Sequence, residues 1–69
     1  MANREWIKER YRAMAIAYFK EAMKLGRLTD EVVRRFPGAT EVVKLGRQGQ
    51  RTYMRLARSH AEQAKGGSR

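Results

Sequence analysis

The chain has no cysteine, one proline and no long apolar run among its 69 residues. Without cysteine, neither a disulfide nor a zinc–thiolate site can stabilise so short a chain. The longest apolar run, from Ala13 to Phe19, has seven residues, whereas a helix that crosses a bilayer needs roughly 20. The charged N-terminal residues are not followed by the cleavable apolar core of a secretory signal. We therefore expect no membrane span and a cytoplasmic protein.

Acidic residues are scarce, and this scarcity gives the chain a strong positive charge. Seven Asp and Glu stand against 16 Lys and Arg, for a net charge of +9. Residues 1–29 contribute +4 (seven cations, three anions) and residues 30–69 contribute +5 (nine cations, four anions). The charge therefore belongs to the whole domain and not to a tail, as is typical of nucleic-acid binders. The alternative is that the charge only keeps the protein in solution.

Little in the sequence could support catalysis. The one histidine, His60, projects onto the apolar side of a predicted helix, where packing or hydrogen bonding is its expected role. Glu62 falls on another face of that helix, so the two residues form no metal site. The glycine-containing segment 46–52 lacks the Lys-Ser/Thr ending and the preceding strand of a phosphate-binding loop. We expect a protein that is not an enzyme and has no metal, cofactor or small-molecule substrate.

The apolar periodicity predicts an all-α fold. The expected architecture is an antiparallel helical hairpin of two long helices, with a short helix in the connection. The predicted helices span about 3–25, 30–36 and 40–64 within a single domain at 1–65, and a flexible tail follows at 66–69.

Local signals set these predicted bounds. Asn3, Thr29 and Thr40 are candidate N-caps, and Gly26 is a natural residue to end the first helix. Pro37 disfavours helical geometry at the residue before it, which ends the short helix.

Gly46 and Gly49 are the weak point of the last helix, because each costs about 1 kcal/mol relative to Ala. A break at 45–50 is the competing prediction. We favour a continuous helix, since both glycines project onto its apolar face. Their place there predicts a close approach to the first helix, with room for Tyr18 or Phe19.

The first helix has an unusually wide apolar arc made of two adjacent stripes. The larger stripe is Ile7, Tyr11, Met14, Ala15, Tyr18, Ala22 and Leu25, and the second is Ile16, Phe19 and Met23. A helix packed on one side needs an arc of only about 100°, so one neighbouring helix cannot cover both stripes. We expect a homodimer that forms a helical bundle through this helix. The alternative is that the short middle helix covers the second stripe.

The most informative pattern is a row of five cations, which we call the basic row: Lys44, Arg47, Arg51, Arg55 and Arg58. Steps of three and four residues place them on one helix face, over roughly 21 Å at 1.5 Å of rise per residue. No acidic residue lies between the first and the last. Like charges four residues apart cost about 0.2–0.5 kcal/mol per pair. The basic row is therefore predicted to bind negative charge, from a partner or from Glu9 and Glu21 of the first helix.

Nucleic acid is the partner that we favour. Arginine at four of the five positions suits bidentate contact with phosphate or carboxylate. A standard helix-turn-helix is disfavoured, because its apolar positions would fall on Lys44 and Arg47. We expect a non-standard helical nucleic-acid binder with a role in transcription regulation.

A protein target is the alternative. Trp6, Ile16, Phe19 and Met23 are candidate interface anchors, and an arginine-rich face can dock on an acidic host protein. In size, composition and helical format the chain is similar to the small proteins with which phages and mobile elements block host proteins. These include nuclease inhibitors and antiactivators that bind a transcription regulator. Anionic lipid is disfavoured, because the Gly/Ala-rich face of the last helix suits helix packing better.

Overall fold

A computed structural model describes residues 2–65, with the side chains of residues 4–65, as two α-helices without a strand. Helix α1 spans Ala2–Arg35 and helix α2 spans Thr40–Ala64. They pack side by side as a hairpin whose Cα atoms extend over 54 × 18 × 11 Å. The all-α hairpin is as predicted. The side chain of Asn3 and the predicted tail at 66–69 lie outside the described residues.

Helix α1 continues ten residues past Leu25, where the prediction ended it. The predicted helix at 30–36 is not a separate element, because residues 30–35 form the last turns of α1. Gly26 is buried in mid-helix and does not end it. Thr29 is not an N-cap: its hydroxyl donates to the carbonyl of Leu25 over 2.8 Å, one turn back within α1. No middle helix is therefore present within residues 2–65 to cover the second stripe.

The reversal between the helices is short. Helix α1 stops at Arg35, and Pro37 follows two residues later, where its ring and its missing N–H prevent another helical turn. The backbone N–H of Ala39 donates to the carbonyl of Phe36 over 2.9 Å and closes the turn. Thr40 is the first residue of α2, and the capping position is Ala39, which has no side-chain cap. Helix α2 has the predicted bounds and is continuous through Gly46 and Gly49.

The seam between the helices follows a seven-residue repeat with alternating steps of three and four, as in a coiled coil. Its buried and half-buried members are Lys8, Tyr11, Ala15, Tyr18, Ala22, Leu25, Thr29 and Val32 on α1, and Val43, Gly46, Gln50, Tyr53, Ala57, His60 and Ala64 on α2. Among the described residues the buried apolar side chains are four alanines, and no large side chain is fully buried. The hydrophobic core of one chain is therefore thin.

The two ends of the seam are packed differently. Near the turn the helices approach closely: a Cβ on Gly49 would lie 2.7 Å from Cδ2 of Leu25, and one on Gly46 would overlap the side chain of Thr29. The close approach at both glycines was predicted, but the prediction that Tyr18 or Phe19 fills this space was wrong. Toward the open end aromatic rings separate the helices. Tyr18 stacks on Tyr53 with centroids 6.0 Å apart, and the ring of His60 lies 5.1 Å from that of Tyr18.

Candidate partner-binding surface

The basic row lies along one side of α2, and four of its five members have no ion-pair partner within residues 4–65. Arg47 is the exception, since its Nη2 donates to Oδ1 of Asp30 on α1 over 2.8 Å. Glu9 and Glu21, the acidic residues considered from the sequence, form no such pair with another described residue. Internal pairing therefore explains one cation of the row and leaves Lys44, Arg51, Arg55 and Arg58 exposed to solvent.

Three of these exposed cations border a common hollow. Arg51, Arg55 and Arg58 line it together with Gln50 and Met54. The three arginines follow at steps of four and three residues, so their guanidinium groups project from the same side of α2. An anion in this hollow would have several charge-assisted donors within reach and no carboxylate of the described residues paired with them.

An apolar groove runs beside that hollow, between the two helices, with a volume of about 520 Å³. Its lining consists of Ala15, Ile16, Phe19 and Lys20 on α1, and Met54, Ala57, Arg58 and Ala61 on α2. Met54 and Arg58 line both the groove and the hollow. The two features therefore form one continuous surface, which we call the groove face, apolar in the middle and cationic along its α2 edge.

The second stripe of α1 is not covered: Ile16 and Phe19 line the groove, and Met23 follows one turn later on the same side of α1. Ile16 is 51% exposed, Phe19 is 47% exposed and Met23 is 43% exposed. These three predicted anchors therefore lie on the same side of the hairpin as the arginines of the basic row. Exposed apolar side chains of this size next to one another are typical of an interaction surface.

Trp6, the fourth predicted anchor, is elsewhere. It is exposed near the open end of α1, and the guanidinium of Arg10 lies 5.2 Å from its ring centroid. Trp6 and Arg10 share a shallow depression with Ile7, Tyr11 and Met14. A cation over an indole ring is an attractive contact worth about 0.5–1 kcal/mol at an exposed site. The structure thus does not bring Trp6 together with the other three anchors.

Sequence reasoning missed a further apolar patch near the turn. Val42 and Leu45 are exposed and line a depression with Leu28 of α1. The seven-residue repeat could have shown this, because Val43 and Gly46 occupy the seam positions of this turn and leave Val42 and Leu45 together on one flank of the seam.

The residues described here do not bring together three side chains able to hold a metal ion, and neither α1 nor α2 has a stretch apolar enough to cross a bilayer. Compared with known proteins, the chain matches no family model, no curated protein and no solved structure.

Proposed function

We propose that this chain is a small non-enzymatic regulatory protein that binds nucleic acid through Lys44, Arg51, Arg55 and Arg58, and that it acts as a homodimer. The observation that carries the proposal is the exposed cluster of arginines around one hollow, unpaired within the described residues. Arg47 is assigned to the hairpin itself, since it pairs with Asp30.

The spacing of the arginines suits a phosphate backbone. From Arg51 to Arg58 the axis of α2 advances about 10 Å at 1.5 Å per residue. One strand of B-DNA presents a phosphate about every 3.4 Å of its axis. A helix laid along the strand would therefore bring three arginines close to about three phosphates. Each phosphate so neutralised releases condensed counterions, which supplies sequence-independent affinity.

The dimer is supported by the thin core. The buried apolar side chains within residues 4–65 are four alanines, and helices seldom persist in water without tertiary packing of an apolar face. Burying a large apolar side chain stabilises by about 1.5–3 kcal/mol, so covering a half-exposed one stabilises by about half as much. The three second-stripe residues, Ile16, Phe19 and Met23, are available for this in each chain.

The second candidate function is protein binding, as a phage or mobile-element type inhibitor or antiactivator of a host protein such as a transcription regulator. The apolar groove favours it, because a partner helix could place an apolar stripe between Phe19 and Met54 and a carboxylate beside Arg58. Nucleic-acid binding by a single chain would leave this groove unused.

The first prediction tests phosphate binding with the double variant Arg51→Ala/Arg55→Ala. Its binding to random duplex DNA should weaken, and the slope of log K against log salt should become shallower by about 0.9 for each phosphate that is no longer neutralised. The measurement is fluorescence anisotropy with labelled duplex from about 50 to 300 mM salt, with circular dichroism to confirm helicity.

Arg4→Ala/Lys24→Ala is the matched control, because it removes the same charge from exposed sites on α1. Its slope should stay close to that of the unmodified chain. Equal reductions in both variants would show general attraction by net charge and contradict a phosphate site. No binding by the unmodified chain at about 150 mM salt, where non-specific binding is about 10⁻⁴–10⁻⁶ M, would favour the protein target.

A further inference from the structure

We propose that the apolar groove is covered by a second copy of this chain, in an arrangement that lays α1 of each protomer on α2 of its partner. This inference rests on the homodimer part of the proposed function and specifies its geometry. The starting observation is that the second stripe of α1 continues along the helix with the same alternating steps of three and four as the first seam. Its members are Ile16, Phe19, Met23, Gly26, Asp30 and Val33.

Helix α2 has a corresponding second seam on the same side of the hairpin: Lys44, Arg47, Arg51, Met54, Arg58 and Ala61. Two helices that each carry two adjacent heptad seams are suited to a four-helix bundle, in which every helix packs against two neighbours. A second copy is the occupant that supplies two such seams. It also has the same uncovered apolar side chains, so a single two-fold contact covers both copies.

The charges of the two seams decide how the copies are arranged. The α1 seam has no cation and one carboxylate, Asp30, whereas the α2 seam has four cations. A two-fold axis perpendicular to the helices would stack α2 on the partner's α2 and bring two rows of arginines together. A two-fold axis parallel to the helices stacks α1 on the partner's α2, where the cations meet an apolar seam. Like charges set against each other disfavour the first arrangement.

The second arrangement also has a defined register. Rotation about an axis parallel to the helices leaves the position of every residue along that axis unchanged. Leu25 lies against Gly49, so Met23 lies near the level of Arg51 and faces the partner's Arg51. By the same reasoning, Asp30 faces the partner's Lys44. Arginine side chains can cover apolar surface with their alkyl stems and keep their guanidinium groups in water. The charged ends of each basic row then lie along an outer edge of the contact, with one row on each side of the bundle.

Disulfide cross-linking tests this arrangement directly, since the native sequence has no cysteine. The variant Met23→Cys/Arg51→Cys, oxidised without nucleic acid, should run mainly as a covalent dimer on a non-reducing gel. The variant Ile16→Cys/Met23→Cys should stay monomeric on that gel, because these positions meet only when α1 stacks on α1. Lys24→Cys/Thr52→Cys is the matched control, at a similar level of the hairpin but on the opposite surface.

Each outcome has a defined meaning. A covalent dimer of the first variant alone supports the arrangement, whereas efficient cross-linking of Ile16→Cys/Met23→Cys or of the control variant overturns it. A monomeric native chain by light scattering also overturns it. If the first variant does not fold, Asp30→Cys/Lys44→Cys tests the same seam at its other end. Cross-linking without nucleic acid is independent of the salt-slope experiment, so the arrangement and the nucleic-acid function can fail separately.

Discussion

At the residue scale, the closest approach between the helices is at Gly46. Alanine at a helical glycine normally stabilises by about 1 kcal/mol, but at Gly46 the added Cβ would overlap the side chain of Thr29. Thr29 is buried, and its hydroxyl bond to Leu25 keeps it in place. We expect Gly46→Ala to lower the free energy of unfolding by about 1–3 kcal/mol, the usual cost of overpacking, as measured by urea denaturation.

The control for this variant is Gly38→Ala in the turn, where nothing lies within 4 Å of the added methyl group. It should leave stability unchanged or raise it slightly, by reducing the freedom of the unfolded chain. Adding Thr29→Ala to Gly46→Ala should recover part of the stability if the overlap is the cause of the decrease. An unaltered or increased stability of Gly46→Ala alone would contradict the close approach.

At the element scale, Gly26 lies inside the long helix α1, so we expect alanine there to have the opposite effect on stability to alanine at Gly46. A Cβ there would lie 2.6 Å from Nε2 of Gln50, the far end of a flexible side chain that can turn aside. Gly26→Ala should therefore raise stability by up to about 1 kcal/mol through its helix propensity. Thermal unfolding followed by circular dichroism measures this. A clear decrease in stability would instead indicate that Gly26 ends a helix, as the local sequence signals predict.

The sequence predicted that α1 ends at Leu25, just before Gly26, whereas the helix continues to Arg35. The comparison shows what local sequence signals could and could not predict. The bounds of α2 followed from its apolar periodicity and from Pro37, because a single strong breaker separates the two helices. The end of α1 did not follow, because Gly26 and Thr29 resemble a stop and a new start when read locally. The seven-residue series Ala15, Ala22 and Thr29 continues through that region and packs against α2. Tertiary packing therefore outweighed local propensity.

The candidate surface was predictable to a similar extent. The steps between the cations placed the basic row on one face of α2, and the two-stripe pattern identified Ile16, Phe19 and Met23 as residues that α2 does not cover. The pairing of Arg47 with Asp30 could not be predicted, because the sequence placed Asp30 in a separate helix. The arginine hollow and the apolar groove share Met54 and Arg58. This overlap depends on how each helix is rotated about its own axis where the two helices pack.

At the scale of the whole molecule, the proposed dimer would add buried apolar surface to a thin core. If the apolar groove closes a dimer, the melting temperature should rise with protein concentration, since mass action favours the folded dimer. Phe19→Asp, which sets a carboxylate in the apolar groove, should dissociate the dimer and abolish most of the helical signal at micromolar concentration. Leu45→Asp is the control, because Leu45 is 65% exposed and lines a different depression.

Circular dichroism melts over a hundredfold range of concentration, with light scattering of both variants, measure these effects. Leu45→Asp should remain a folded dimer with a concentration-dependent melting temperature. A melting temperature that does not change with concentration, together with a folded monomeric Phe19→Asp, would show that one hairpin is stable by itself. The groove would then be open to a partner helix, and the inhibitor function would become the better explanation, because a stable monomer needs no second copy to cover Ile16, Phe19 and Met23.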